Sequence, residues 1–506
     1  MVLSALIFLP VVFAIILSVW PQKSTIRPIA LGFSIAHFLY GLLLFQHFDP
    51  SSAELQLVEK HVWFERFGIQ YFLGLDGISF WLIQLTTFLA PLIILGSWKS
   101  IEEKVRGFHV CFFLLQTAML GTFLAFDAIL FYVFWELSLI PMYFIVGIWG
   151  GARRIYATLK FFIYTMAGSL LMLVAIIYMM YLTQQAFGQM SASLLDFYKL
   201  NIPFIGKDFF SMQTLLFFAF ALAFAIKVPV FPLHTWLPDA HVEAPTPGSV
   251  VLAGVMLKMG TYCFMRWVLP LFPEATEYWA WMFILLGVVG IIYGALVAMV
   301  QPDIKKLVAY SSVSHMGYIM MGLFVFNHQG LQGGLYQMLN HGISTGALFL
   351  LIGMIYERTH SREIKEYGGL ASVLPTYTIF FFIITLSSIA VPLTNGFVGE
   401  FLILLGTYKA QPWAAGFAVT GVVLGAAYML WMFKRVFFGE KGPLVQDEKH
   451  PLHDLNLREI LVLTPFVVMV FWMGLFPNHF LNWTHASIDH LIKNKTSYEL
   501  VLKGAR

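Results

Sequence analysis

Charge is scarce in this chain: Lys, Arg, Asp and Glu make up 11% of 506 residues, and the formal net charge is only +3. A balance that small and that dispersed offers no basic patch, so nucleic acid is excluded as a partner. Cysteine is scarcer still, with Cys111 and Cys263 far apart in apolar context and no CxxC spacing. Two such residues cannot build an Fe-S cluster or a structural zinc site, and they do not predict a disulfide. The chain also lacks any flavin, nucleotide or quinone motif, so no cofactor is expected on it. Polar stretches are few as well: about 47 to 77, 183 to 211, 439 to 456, and the tail after about 481.

What fills the chain instead is apolar. Hydrophobic residues reach 59% and aromatics 17%, with 50 Phe and 14 Trp, and the mean hydropathy is +0.78. This composition reads as a polytopic membrane protein whose solvent is the lipid bilayer. Apolar runs of about 20 residues predict an all-α protein of about fourteen transmembrane helices, starting near residues 2, 28, 78, 107, 127, 157, 212, 249, 279, 305, 331, 375, 413 and 457. The first twenty residues lack a basic leader and an A-x-A-like cleavage site and carry Pro10, so they read as a retained first helix. Loops after odd-numbered spans hold 18 basic residues against 10 on the opposite side. Both termini are therefore expected on the non-cytoplasmic side.

Proline interrupts two spans at related places. The seventh reads AIKVPVFPLHTW, where Pro229 and Pro232 are expected to free the carbonyls of Ala225 and Val228. The twelfth reads SSIAVPLTNGFVGEF, where Pro392, Asn395 and Gly396 interrupt a similar run. The spans that follow also match loosely, SVVLAGVML at 249 to 257 against GVVLGAAYM at 421 to 429. These features predict two inverted five-helix repeats, each with a broken helix, the build of many transporters. The expected divisions are 1–106 for the first helices and a polar loop, 107–275 and 276–439 for the repeats, and 440–506 for the last helix and tail.

Four ionisable residues, Glu136, Lys227, Lys258 and Glu400, lie deep inside apolar runs. A charge at the centre of a spanning helix costs about 2.5 to 3.5 kcal/mol even on the lenient insertion scale. Groups of both signs at that depth point to a path for protons or ions. A carboxylate near a lysine raises the lysine's proton affinity and burial lowers it, so Glu136 beside Lys227 reads as a proton switch. The bland alternatives are a protonated, hydrogen-bonded Glu136 and a snorkelling Lys227. The tenth span carries Ser311, Ser314, His315 and Tyr318 on one face, and the eleventh carries Gln337, Asn340, His341, Ser344 and Thr345. Such stripes also glue helices together. His315 and His341 add a titratable group to each, because imidazole changes charge near neutral pH. Acid, lysine, lysine, histidines and acid then form a lateral hydrophilic axis ending at Glu400.

The segments FYVFWELSLIPMYF, FPLHTWLPDAHVEAPTPGSVVLAGVMLKMGTY and DIKKLVAYSSVSHMGY resemble the antiporter-like proton-channel subunits of respiratory complex I, which share a fold with subunits of cation/proton antiporters. The resemblance covers nearly the whole chain. It implies that Glu136 and Lys227 act as a gating pair, Lys258 as a central relay, His315 and His341 as bridging groups, and Glu400 as the terminus of the second half. It also implies a multi-pass protein of the bacterial inner membrane, pumping driven by electron transfer from NADH to quinone in other subunits, flavin and Fe-S clusters in those partners, and a place between the sister antiporter-like subunits called L and N. Glu400, where those sisters usually have lysine, places the chain in the third branch. The end of the chain about 25 residues after its last span leaves no room for the lateral helix of L. A Na+/H+ antiporter subunit of the same fold is the alternative, and a scaffold without transport is disfavoured because it has little use for buried lysines.

Overall fold

A computed structural model describes residues 1–206, 210–446 and 451–504, with side chains as far as residue 493. Of the basic residues counted for orientation, Lys207, Lys449 and Arg506 lie outside the described residues, as do the side chains of Lys495 and Lys503.

The helices run as α1 (Val2–Val19), α2 (Ile26–Leu42), α3 (Gly77–Gly96), α4 (Val105–Leu124), α5 (Ala128–Trp149) and α6 (Arg154–Phe187). They continue as α7 (Met212–Lys227), α8 (Trp236–Glu243), α9 (Thr246–Leu271), α10 (Pro273–Met299), α11 (Ile304–Phe324) and α12 (His328–Thr359). The rest are α13 (Pro375–Ser388), α14 (Asn395–Ala410), α15 (Pro412–Phe437), α16 (Leu457–Leu475) and α17 (Asn478–Gly504). Counting α7 with α8 and α13 with α14 as broken spans gives the fourteen expected crossings. Among the described residues, twelve helical runs are long and apolar enough to cross a membrane unaided, while α7 and α13 are shorter because the breaks cut them. Every backbone polar group in lipid must be bonded within its own helix, which explains why the apolar runs fold this way. α9 and α12 are buried along their whole apolar windows and α11 nearly so, and these three form the centre of the bundle.

Two polar stretches carry structure that hydropathy does not reveal. Residues 56–75 form an antiparallel hairpin of β1 (Gln56–Phe64) and β2 (Ile69–Leu75), pairing Glu59 with Leu73 and His61 with Tyr71. The Glu59 carboxylate accepts the amides of Leu3 at 2.8 Å and Ser4 at 3.1 Å and lies 3.3 Å from the N-terminal amine. It thereby caps the orphan donors that open α1. The expected tail is the helix α17, which folds back along α3: Trp81 Nε1 donates to the Phe480 carbonyl at 3.0 Å and the Gly77 amide to Ser487 Oγ at 3.0 Å.

The two breaks share a backbone pattern. In the first, the Val230 amide donates to the Ala225 carbonyl at 2.8 Å and the Leu233 amide to the Val230 carbonyl at 2.6 Å. In the second, Val391 donates to Leu386 and Thr394 to Val391, both at 3.1 Å. Both bonds recur at the same separation (391 − 230 = 394 − 233 = 161). That recurrence supports the paired repeats. It also corrects one expectation: the Ala225 carbonyl is not left free by Pro229 but is taken by Val230. The second break alone holds non-glycine residues in the left-handed region, Ala390 at φ 57° and Leu393 at φ 76°.

Many of the basic residues expected in loops lie within helices, among them Lys160, Lys305 and Arg266. Lys160 sits in α6 and pairs with Asp239 at 2.7 Å, and Lys305 opens α11 with its ammonium on the Ala244 carbonyl at 2.6 Å. Arg266 is buried in α9 and bound to both oxygens of Asp76 at 2.6 Å.

Candidate functional site

The centre of the bundle brings four of the six expected residues into one connected row. Lys258 stands on α9 just after a π-helical segment, Leu252–Met256, which widens the helix. Its ammonium donates to the Ala253 carbonyl and lies 2.5 Å from His341 Nδ1 on α12. The His341 and His315 rings meet edge to face, with centroids 5.8 Å apart and planes at 62°. His315 Nδ1 on α11 then lies 3.0 Å from Glu400 Oε1 on α14. The same oxygen accepts from Gln337 Nε2 at 3.1 Å, and Asn340 Nδ2 donates to Gln337 Oε1 at 2.9 Å. All four residues are under a tenth exposed.

The approach of α14 to α12 depends on Gly399. A Cβ there would fall 2.4 Å from Gln337 Oε1 and 2.6 Å from Asn340 Nδ2, so a side chain would displace both amides that flank Glu400.

Beside the row lies a small cavity lined by His315, Asn340, His341, Ser344, Ser387 and Ser388, at the limit of what holds one water molecule. His341 Nε2, Asn340 Oδ1 and Ser388 Oγ have no hydrogen-bond partner. Buried polar atoms of that kind favour hydration. Ser344 reaches the second break through Ser387 at 2.5 Å, and Ser387 bonds Asn395 Oδ1 at 2.5 Å. Two further stripe residues are structural: Ser314 bonds the Ile291 carbonyl at 3.0 Å and Tyr318 the Ala418 carbonyl at 2.7 Å, tying α11 to α10 and α15.

The first half is arranged differently. Lys227 is buried at the end of α7, and its ammonium donates to Ser138 Oγ at 3.1 Å over the ring faces of Trp135 (5.1 Å) and Phe161 (6.0 Å). Glu136 forms no ion pair with it within 4.0 Å. Glu136 is half-buried beside Ser169 of α6, and its Oε1 has no partner. The expected gating pair is therefore separated in this structure, with Ser138 holding the lysine. The kink in α5 falls at Ser138, between Ala128–Leu137 and Leu139–Trp149, three residues before Pro141, whose missing amide weakens the helix there. No hydrogen bond joins Lys227 to Lys258, although α7 and α9 touch closely at Gly260, where a Cβ would lie 2.7 Å from Val228.

Sequence reasoning passed over two histidines at the first break. His234 lies between the rings of Phe231 and Tyr293, and His241 stacks on Phe349 at 4.6 Å; neither has a hydrogen-bond partner on its ring nitrogens. His234 lies two residues before α8 and His241 within it, and their recurrence in HTWLPDAH beside the break was the available signal.

Paired broken helices around a buried row of carboxylate, imidazole and ammonium define an antiporter-like membrane subunit. Residues 125–425 match the family model "NADH:quinone oxidoreductase/Mrp antiporter, TM", and residues 5–126 match "NADH-ubiquinone oxidoreductase chain 4, amino terminus". The NADH-quinone oxidoreductase subunit M of Rhodobacter capsulatus is 46% identical over 97% of this chain and 96% of that one. The NADH-ubiquinone oxidoreductase chain 4 of Arabidopsis thaliana is 42% identical over 97% of each. Among solved structures, a chain of respiratory complex I from Thermus thermophilus is similar with a TM-score of 0.87 and 33% identity, over 98% of this chain and 100% of that one. A chain of the Mrp complex from Dietzia sp. matches with a TM-score of 0.83 at 21% identity over 99% of each, which speaks for the fold alone. The chain belongs to the NADH:quinone oxidoreductase/Mrp antiporter membrane family, in the branch of subunit M, also called chain 4.

Proposed function

We propose that the chain is a proton-translocating membrane-arm subunit of an NADH:quinone oxidoreductase, with Glu136, Lys227, Lys258, His341, His315 and Glu400 as its proton carriers. The observation that carries this reading is the connected row from Lys258 through both histidines to Glu400. Each member can take up and release a proton, and neighbours stand close enough to pass it directly or through one water. Electron transfer from NADH to quinone, on flavin and Fe-S clusters of partner subunits, supplies the drive. Ser138 is the holding position for the Lys227 ammonium, and movement of Glu136 toward it loads the first half. Glu136 lies beside an exposed apolar stripe of α5, Val133, Ile140 and Phe144, which suits coverage by a neighbouring L- or N-type subunit. An even number of crossings and the excess of basic residues after odd-numbered spans support a reading in which Met1 and the start of α17 both lie on the non-cytoplasmic side of the bacterial inner membrane.

The test is Lys258→Arg in the assembled complex in proteoliposomes. Guanidinium keeps the positive charge but does not release its proton. Turnover and proton uptake should fall to a small fraction of wild type, with assembly confirmed on a native gel. Normal pumping by the arginine variant would show that Lys258 provides only a fixed charge and would overturn the relay.

A further inference from the structure

Away from the relay, at the end of the bundle where α12 begins, two histidines and an aspartate converge from segments more than 150 residues apart in sequence. His328 is the first residue of α12, and His485 and Asp489 lie one turn apart on α17. His328 Nδ1 is 3.7 Å from Asp489 Oδ1, and His485 Nε2 is 3.4 Å from Asp489 Oδ2. One ligand atom from each of the three residues lies within 4.8 Å of the others.

We propose that His328, His485 and Asp489 bind a divalent transition-metal ion of the zinc type. Two ligand atoms held about 2.0–2.1 Å from a tetrahedral ion stand about 3.4 Å apart; the separations of 3.4 and 3.7 Å, each to a different Asp489 oxygen, are close to that spacing, and the three ligand atoms lie within 4.8 Å of one another. Both are longer than direct hydrogen bonds should be. His328 Nδ1 is moreover a buried nitrogen with no hydrogen-bond partner, so the side chain is placed without the bond that a purely structural histidine makes. The donor set of two imidazoles and one carboxylate selects zinc-like ions over magnesium or calcium, which prefer all-oxygen shells. His485 is more than half exposed, which leaves an entry path and a fourth position for solvent. The helix start is already capped by Asn327 Oδ1 on the Gly330 amide at 2.9 Å, so His328 is free of that duty. A bound ion fastens α17 to the first turn of α12, the helix that bears His341 about 20 Å further on.

The assembled complex, stripped with chelator and equilibrated with buffered micromolar Zn2+, is assayed for bound zinc by mass spectrometry after gel filtration. Wild type should hold one more equivalent than either His485→Ala or His328→Gln. X-ray absorption on the zinc-loaded difference should report two nitrogens and oxygen at about 2.0–2.1 Å. The exposure of His485 makes its variant safe for folding, so equal zinc in wild type and His485→Ala overturns the proposal.

Discussion

Ser138 is a small residue in a large role: its hydroxyl donates to the Trp135 carbonyl at 2.7 Å while accepting from the Lys227 ammonium at 3.1 Å. No other hydrogen bond is recorded for that ammonium among the described residues. Without the hydroxyl, the charge rests on two ring faces alone, with contacts each worth about 2 kcal/mol when desolvated but no hydrogen-bond acceptor. Ser138→Ala should therefore assemble normally but slow coupled turnover several-fold, with Ser138→Thr restoring most of it. Rates measured in proteoliposomes decide the matter; full activity in the alanine variant would mean that Lys227 rests elsewhere. The sequence made Lys227 and Glu136 visible because both interrupt apolar runs. It hid Ser138, since a serine costs little in such a run and only three-dimensional proximity gives it a partner.

At the level of elements, fourteen spans were legible because a bilayer demands long apolar runs, and proline marked both breaks. The hairpin was not legible, as strands of nine and seven residues fall far below the length of a spanning run, and α17 was hidden by low hydropathy, since a helix lying partly on the bundle need bury only one face. Glu59 gives the hairpin a measurable function. Burial pushes its carboxyl up, but the Ser4 hydroxyl and the amides of Leu3 and Ser4 outweigh that and hold it below the usual value. A depressed folded-state pKa contributes stability that is present above the unfolded value, near 4.5, and lost as pH falls through the folded one. Thermal denaturation should accordingly show Glu59→Gln less stable than wild type at pH 7, by about 1.5–3 kcal/mol for bonds to a charged group, with the difference shrinking below pH 4 to 5. Gly399 is the corresponding test for α14. Gly399→Ala forces a methyl against Gln337 and Asn340, and overpacking of this kind costs about 1–3 kcal/mol. It should lower the Tm of the complex and reduce pumping together, because the same shift pulls Glu400 off His315.

Across the whole molecule the polar groups form two unequal parts. Lys258 to Glu400 is already connected, whereas Glu136, Lys227 and Lys258 are separated, so the first half must move or hydrate before a proton crosses the centre. The sequence indicated the inventory and its order, but not this asymmetry, which depends on distances between helices. Glu400 closes the connected part, and there the geometry bears on two substitutions. Its Oε1 accepts from His315 and Gln337 at once. Glu400→Gln keeps an acceptor oxygen at that point but cannot change charge, so the complex should keep its Tm while losing most proton transport. Glu400→Lys puts an ammonium there, sets donor against donor at Gln337 and must compete with His315. It should be destabilised as well as inactive, and Gln337→Glu in the same chain, by supplying an acceptor and a counter-charge, should recover stability and part of the pumping. Tm and proton uptake on the two single variants and the double variant decide this. Full transport in Glu400→Gln would remove the residue from the pathway, and no recovery in the double variant would show that the failure of lysine lies outside this contact.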